Sequence, residues 1–230
     1  MRNLLLTQSN RRSHHLASRV GFLSAVVNTA GGIIYLIVIL GAFLTGNSNF
    51  PPGEGLQLFG GIISLIFCPV LVMMMAALDA VSQPDKQVLS RASLGFTLLF
   101  ALAVSINRFS QLGVVRLATA SGQVEGISWF QAYGDYSIML GLEYLGWAWF
   151  LGLAMLFAAP LFSNGKLELW IRWLMILYGL LGLVSSVGFL MGNWLSLLGF
   201  AAWGLVLFII TGLLSAYFVL VPTVPVRTFS

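Results

Sequence analysis

The sequence predicts an all-α protein, a transmembrane bundle of six helices with both termini in the cytoplasm. Hydrophobic residues make up 59% of the 230 residues and charged residues only 8%, whereas soluble domains carry about 25% charged residues. The mean hydropathy is +0.95. A chain of this composition could not keep its surface in water, so lipid is the expected solvent for most of it.

Six apolar runs reach the length of about 17–25 residues that a helix needs to cross a bilayer. Whole blocks of these runs are apolar on every side, unlike the alternating segments of a membrane barrel. Helices are therefore required, because they satisfy their own backbone groups in lipid. The predicted spans are residues 20–44, 56–81, 92–115, 136–162, 170–191 and 195–219.

These spans divide the chain into three parts. Residues 20–219 form the six-span membrane domain, residues 1–19 a basic cytoplasmic tail and residues 220–230 a cytoplasmic C-terminal tail. The N-terminal tail is expected either to be disordered or to contact anionic lipid head groups.

The first two spans carry signals for helix packing and bending. Ser24, Asn28 and Gly32 form an i, i+4, i+8 stripe on the first span, which is typical of close helix contact. Pro69 interrupts the second span and is expected to kink it. The single cysteine, Cys68, precedes it and is expected to be a small buried hydrophobe.

The third span carries a polar stripe on one helical face, with members three or four residues apart. Lipid would leave these groups without hydrogen-bond partners, so the face is predicted to point into the bundle. The stripe comprises Ser93, Thr97, Ala101, Ser105 and Arg108, continued by Gln111 and flanked by Asn107.

The fourth span carries Glu143 about seven residues from its outer end, and Arg108 lies about seven residues from the outer end of the third. At 1.5 Å per residue both lie roughly 10 Å below the outer interface. Because the two helices are consecutive and antiparallel, Arg108 and Glu143 are predicted to pair. The pair would offset part of the cost of burying each charge.

Three interpretations of this pair remain open. The first is a salt bridge that only fixes helix register. The second is a functional cavity, either a site for a polar or anionic head group or a proton-responsive carboxylate, and the third is no pair at all. In the last case Arg108 reaches the interface by extending along the helix.

The fifth and sixth spans are separated only by Gly192, Asn193 and Trp194. A connection this short predicts a tight antiparallel hairpin. Gly188 and Gly192 have the GxxxG spacing that indicates close approach of helices.

The basic residues predict the orientation of the bundle. Nine of the eleven lysines and arginines fall on one side of the six spans, and such residues favour the cytoplasmic side. Both termini are therefore expected in the cytoplasm. We expect the membrane to be a prokaryotic cytoplasmic (inner) membrane. The nine are Arg2, Arg11, Arg12, Arg19, Lys86, Arg91, Lys166, Arg172 and Arg227.

No cofactor, metal or nucleic-acid partner is predicted. The net charge of +4 comes from residues scattered at span ends, which is typical of topology signals. The histidines, His14 and His15, both lie in the N-terminal tail, and no cluster of ligands has metal-binding spacing. The sequence also has no HExxH or GxSxG motif, so a non-enzymatic role is favoured.

Three short motifs carry a resemblance to a known group of proteins: EYLGW at 143–147, FAAP at 157–160 and IRWL at 171–174. Through them the chain resembles small bacterial multi-pass membrane proteins classed as a domain of unknown function. The resemblance covers mostly the second half and implies a six-helix inner-membrane protein. It implies no catalytic or ligand-binding residues.

The sequence favours a membrane protein with a polar cavity that binds or moves a lipid-like or small amphipathic molecule. In this hypothesis Arg108 holds an anionic group and Glu143 balances it. The other predicted site residues are Asn107, Ser105 and Gln111 as hydrogen-bonding groups and Tyr144 and Trp147 as wall.

Two alternatives stay open beside this hypothesis. The first is a structural or accessory subunit of a larger membrane complex, with a membrane-protein partner. The second is a lipid-modifying enzyme with Glu143 as general base, which ranks last because no nucleophile or metal accompanies it.

Overall fold

The computed structural model describes residues 2–44, 53–123, 125–132 and 137–220. Within these ranges the chain forms helices and turns and no strand. Six of the helices are long and apolar enough to cross a membrane. The predicted all-α, six-span fold class is therefore confirmed.

The six spanning helices overlap the six predicted spans, and the first and third helices run well beyond them. They are α1 (Arg2–Leu44), α2 (Glu54–Val81), α3 (Pro84–Ala120), α4 (Ile138–Leu161), α5 (Gly165–Leu190) and α6 (Trp194–Leu220). The prediction ended the third span at residue 115, but α3 continues by another turn to Ala120. Most of the 45–55 loop and nearly all of the C-terminal tail lie outside the described residues.

Helix α1 runs back through the predicted N-terminal tail. It starts at Arg2, so the expectation of a disordered tail is wrong for that stretch. Each residue added to an existing helix gains a backbone hydrogen bond without a new nucleation step, which explains the extension. Pro69 lies inside α2, as predicted, and the kink expected there stays a prediction.

The six helices pack in circular order. Each contacts the next along the chain, and α6 returns to α1. Apolar side chains fill the middle of this arrangement, and other apolar side chains, such as Ile33 and Ile37 on α1, are exposed on its outside. The largest fully buried side chains are Leu71, Met74, Met75, Phe100, Leu151, Met155, Phe162, Ile171, Met175, Tyr178, Leu207 and Ile210.

The small and polar stripe of α1 packs against α6. Ser24 and Asn28 are buried, and a Cβ on Gly32 would overlap the Phe208 ring. The hydroxyl groups of Thr29 and Thr211 lie 2.8 Å apart across the same contact. The sequence prediction that this stripe mediates helix contact is confirmed.

The α5–α6 hairpin is as tight as predicted. Gly192 has a positive φ of 62°, a conformation that glycine adopts without steric cost. A Cβ on Gly188 would collide with the backbone of Leu195 and Ser196. The Asn193 side chain accepts a hydrogen bond from the Leu195 amide at 3.0 Å and so begins the next helix.

The bundle has two ends of different character. At the basic end, α2 joins α3 and α4 joins α5, and Lys86, Arg91, Lys166 and Arg172 lie nearby. At the loop end, α3 joins α4 and α5 joins α6. The assignment of the basic end to the cytoplasm stays a prediction.

Candidate functional site

Arg108 on α3 and Glu143 on α4 form an ion pair between a guanidinium Nη2 and the carboxylate Oε1. Their side chains are only 12% and 16% exposed. The predicted pair between the third and fourth spans is therefore present, and each charge has its partner within the protein.

Asn107 completes the environment of the carboxylate. Its side-chain amide donates to Glu143 Oε2 at 2.6 Å and to the Met139 carbonyl at 3.0 Å. Both carboxylate oxygens thus accept a hydrogen bond from α3, which stabilises the charged form in a shielded place. Asn107 itself is 1% exposed.

The α2 helix approaches the pair from a third side. Cys68 is buried, as predicted, lies against Ser105 and is within electrostatic range of Arg108 and Glu143. Trp147 lies one turn beyond Glu143, interacts with its carboxylate and contacts the Phe100 ring edge to face at 4.7 Å. The pair is therefore enclosed by α2, α3 and α4.

Both paired helices change their winding next to the pair. A π-helical stretch occupies Gln111–Val115 on α3 and Tyr144–Phe150 on α4. Such stretches insert an extra residue into a turn and occur often at functional sites. They shift which side chains face the bundle interior, so the positions beyond the pair do not follow a regular helical pattern.

The Tyr144 side chain lies against α5 and α6. Its ring stacks on Phe189 at 4.2 Å and meets Trp203 edge to face at 5.6 Å. Its hydroxyl donates to the Ser196 carbonyl at 3.3 Å. Tyr144 thus packs between α5 and α6 rather than beside the ion pair.

Gln111 lies one turn closer to the loop end than Arg108. Its side-chain amide donates to the Phe130 carbonyl, and its Oε1 accepts from the Ala132 amide at 3.1 Å. Gln111 therefore fixes the short aromatic segment Ile127–Phe130 and the residues after it to the side of α3.

A cavity of about 410 Å³ opens at the loop end, between the start of α2, the end of α3 and residues 131–132. We call it the loop-end cavity. Gln111 is in its wall, whereas the other six predicted site residues are not. The ion-pair cluster, formed by Arg108, Glu143 and Asn107, lies deeper in the bundle. Arg108 is three residues from Gln111 on α3, or just under one helical turn.

Charged and apolar groups share the wall of the loop-end cavity. Glu54 comes from the first turn of α2 and Arg116 from α3, and among the described residues neither forms an ion pair. Arg116 Nε donates to the Leu112 carbonyl at 3.1 Å, which fixes part of its side chain along α3. Apolar residues of the wall include Leu58, Leu112 and Val115.

Sequence reasoning missed Glu54 and Arg116 as site residues. Both lie at span ends, where a charged residue is usually an orientation signal. The sequence did hold one indication. Glu54 and Gln57 lie at the start of the second predicted span and Arg116 at the end of the third, so all three fall at the same end of two antiparallel helices.

The described residues contain no group of three or more His, Cys, Asp or Glu that could hold a metal ion. The prediction that the protein has no cofactor stays a prediction.

Comparison of the chain with protein-family models, curated proteins and solved structures gives no match. The resemblance to small bacterial membrane proteins of unknown function thus stays a prediction, and the function has to be argued from the residues themselves.

Proposed function

We propose that this multi-pass membrane protein binds a small amphipathic molecule in the loop-end cavity. The observation that carries this proposal is the presence of Glu54 and Arg116, two opposite charges outside any described ion pair, in a wall that is otherwise partly apolar. The volume of the loop-end cavity, about 410 Å³, falls in the range of about 300–1,000 Å³ typical of small-molecule sites.

The wall indicates how such a molecule is held. Arg116 attracts an anionic group, Glu54 a cationic group, and Leu58, Leu112 and Val115 take an apolar chain. A zwitterionic head group on a short chain satisfies all three at once. From the sequence, Arg108 was expected to bind the anionic group of the ligand. Because Arg108 already pairs with Glu143, we assign the binding of that group to Arg116.

The ion-pair cluster then closes the bundle below the cavity. Arg108, Glu143 and Asn107 connect α3 to α4 through their side chains, and Trp147 packs behind them. Binding at the loop end leaves these contacts intact. Movement of the ligand through the bundle would instead require the pair to separate.

The proposal is tested by thermal unfolding of the purified protein in alkyl maltoside, with and without a short-chain phosphocholine amphiphile. A ligand at 100 times its dissociation constant stabilises the folded state by about 2.7 kcal/mol. We expect a rise in the unfolding temperature that Arg116→Ala and Glu54→Ala each reduce. The matched control is Gln123→Ala, which changes an exposed residue at the same end outside the cavity wall.

An added alkyl maltoside of the same chain length serves as the uncharged comparison. Equal stabilisation by both amphiphiles, or the same loss in Gln123→Ala as in Arg116→Ala, would contradict the proposal. A membrane protein that co-purifies in stoichiometric amount and covers Arg116 would instead favour the accessory-subunit alternative.

A further inference from the structure

A second cavity lies at the basic end of the bundle, opposite the end that holds the loop-end cavity. It measures about 490 Å³ and is formed by the end of α2, the start of α3, the α4–α5 connection and the end of α6. We call it the basic-end cavity. It shares no wall residue with the loop-end cavity.

Two lysines give the basic-end cavity a positive character. Lys86 and Lys166 both line it. The Lys86 ammonium group donates to the Leu161 carbonyl at 3.3 Å and to the Ser163 hydroxyl at 3.0 Å, which are neutral acceptors. Lys166 is exposed, and neither lysine forms an ion pair with the described residues.

The carboxylate among the wall residues is already engaged. Glu168 Oε2 accepts hydrogen bonds from the Ser163 and Asn164 amides, each at 2.8 Å. Glu168 therefore caps the start of α5 rather than neutralising a lysine. The wall thus carries the positive charges of Lys86 and Lys166 and the negative charge of Glu168, which already accepts two hydrogen bonds. The excess of positive charge makes the cavity suited to an anion.

Apolar groups form much of the remaining wall, which also contains Ser82, Gln83 and Asn164. Leu78, Leu161 and Leu167 line the cavity beside the lysines, and Tyr217 adds an aromatic side. A free inorganic anion would gain nothing from these groups. An anion that carries a hydrocarbon chain would place both of its parts in suitable surroundings.

Two exposed tryptophans indicate the depth of this end in the membrane. Trp170 and Trp173 lie in the first turns of α5 and are 66% and 59% exposed. Tryptophan is enriched at the level of lipid head groups. The basic-end cavity, which includes the first residues of the same helix, therefore lies where a lipid phosphate would be.

We propose that the basic-end cavity binds the phosphate of an anionic phospholipid, with Lys86 and Lys166 contacting the phosphate oxygens. Leu78, Leu161 and Leu167 contact the glycerol and the first methylene groups of the acyl chains. Basic pockets between membrane helices are known to bind anionic head groups. Zwitterionic lipids fit less well, because no unengaged carboxylate in the wall matches their cationic group.

The test measures lipid binding to the full chain in alkyl maltoside by native mass spectrometry and by thermal unfolding. The probes are phosphatidylglycerol, phosphatidylcholine with the same acyl chains, and inorganic phosphate. We expect phosphatidylglycerol to bind and stabilise most strongly, and raised salt to weaken its binding. Lys166→Gln should weaken binding about fivefold, the effect of about one lysine charge at an anionic surface.

Two further variants separate binding from folding. Lys86→Arg keeps the charge and should retain binding, whereas Lys86→Gln with Lys166→Gln should reduce it further. Arg91→Gln is the matched control, since Arg91 is exposed at the same end, bonds to Gln87 on its own helix and does not line the cavity.

Each alternative outcome overturns a stated part of the proposal. Equal stabilisation by inorganic phosphate would make this a site for a free anion. Phosphatidylcholine binding that Lys166→Gln weakens as much as it weakens phosphatidylglycerol binding would remove the selectivity for anionic lipid. The same loss in Arg91→Gln as in Lys166→Gln would attribute binding to general surface charge. Lipid bound at the basic end is identified by its loss in Lys166→Gln, whereas lipid held in the loop-end cavity is weakened by Arg116→Ala, so the two sites are told apart.

Discussion

The Tyr178 hydroxyl on α5 donates a hydrogen bond of 2.8 Å to the Trp147 carbonyl on α4. Trp147 lies within the π-helical stretch Tyr144–Phe150, and Tyr178 is fully buried. A π-helical turn displaces carbonyl groups from their usual partners. The tyrosine thus holds α5 against an irregular part of α4, directly behind the residue that contacts Glu143.

Removal of this hydroxyl is expected to destabilise the protein. Tyr178→Phe keeps the ring but leaves the buried Trp147 carbonyl without its donor from α5, at a cost of about 1–2 kcal/mol. Thermal unfolding in detergent measures the change. Tyr217→Phe is the matched control because its hydroxyl makes no hydrogen bond among the described residues, and an equal loss in both variants would contradict the assignment.

The Arg108–Glu143 pair predicts a strongly non-additive mutant cycle. Arg108→Met or Glu143→Gln alone leaves one charge without its partner in a shielded place, which costs about 3 kcal/mol in buried pairs. The double variant removes both charges and is expected to be more stable than the sum of the single losses predicts. The coupling free energy comes from the unfolding free energies of all four proteins.

A coupling near zero would contradict the view that these two side chains depend on each other. It would also favour the interpretation in which the Arg108 guanidinium extends to the membrane interface and is solvated there. The control pair is Arg91 and Gln87, whose contact is exposed on a single helix and for which we expect little coupling.

Two buried asparagines are expected to respond differently to the same substitution. Asn107→Leu removes the hydrogen bonds to Glu143 and Met139 on another helix, at a cost of about 2 kcal/mol because charged and buried acceptors lose a donor. Asn28 donates only to Ser24 on its own helix, and its Oδ1 is buried without a partner among the described residues.

Both substitutions remove a buried Oδ1 that has no partner among the described residues. Asn28→Leu should nevertheless be closer to neutral, since only Asn107→Leu takes a donor from groups on another helix. The measurement is the unfolding temperature of both variants in the same detergent. A loss for Asn28→Leu as large as that for Asn107→Leu would show that the contact with Glu143 has no special importance.

The ion pair and the spans could be predicted from the sequence because both follow from the cost of placing polar groups in lipid. Arg108 and Glu143 lie at equal depth on consecutive antiparallel spans, and that alone brings them together. Tyr144 directly follows Glu143, and consecutive residues of a helix do not share a face. Its place away from the pair therefore follows from the helical period, whereas its partners Phe189 and Trp203 on other helices could not be predicted. The loop-end cavity depends on how α2 and α3 separate, which local sequence does not specify.

The role of Gln111 likewise depends partly on the helical pattern and partly on the path of a loop. Its place on the polar stripe of α3 predicted a hydrogen-bonding residue, and it does bond, but to the backbone of Phe130 and Ala132. The partners lie in a loop whose path has no periodic signal. Sequence therefore identified the polar residue and its face, and only the fold identified what it holds.

Gln111 is expected to control the mobility of the wall of the loop-end cavity. Gln111→Leu keeps the size of the side chain but removes the acceptor of the Ala132 amide and the donor to the Phe130 carbonyl. Local opening exposes backbone amides to exchange with solvent. We therefore expect faster hydrogen exchange at Ala132 and its neighbours, with unchanged exchange in the middle of α3.

Gln123→Leu is the matched control, because this exposed glutamine at the same end does not line the cavity. Faster exchange confined to the residues that follow Phe130 would show that Gln111 fixes the wall. It would also predict weaker amphiphile binding by Gln111→Leu, since a mobile wall must be ordered when the ligand binds. Unchanged exchange at Ala132 would mean that the loop is held by its other contacts, such as the hydrogen bond from Ser137 to Gln131.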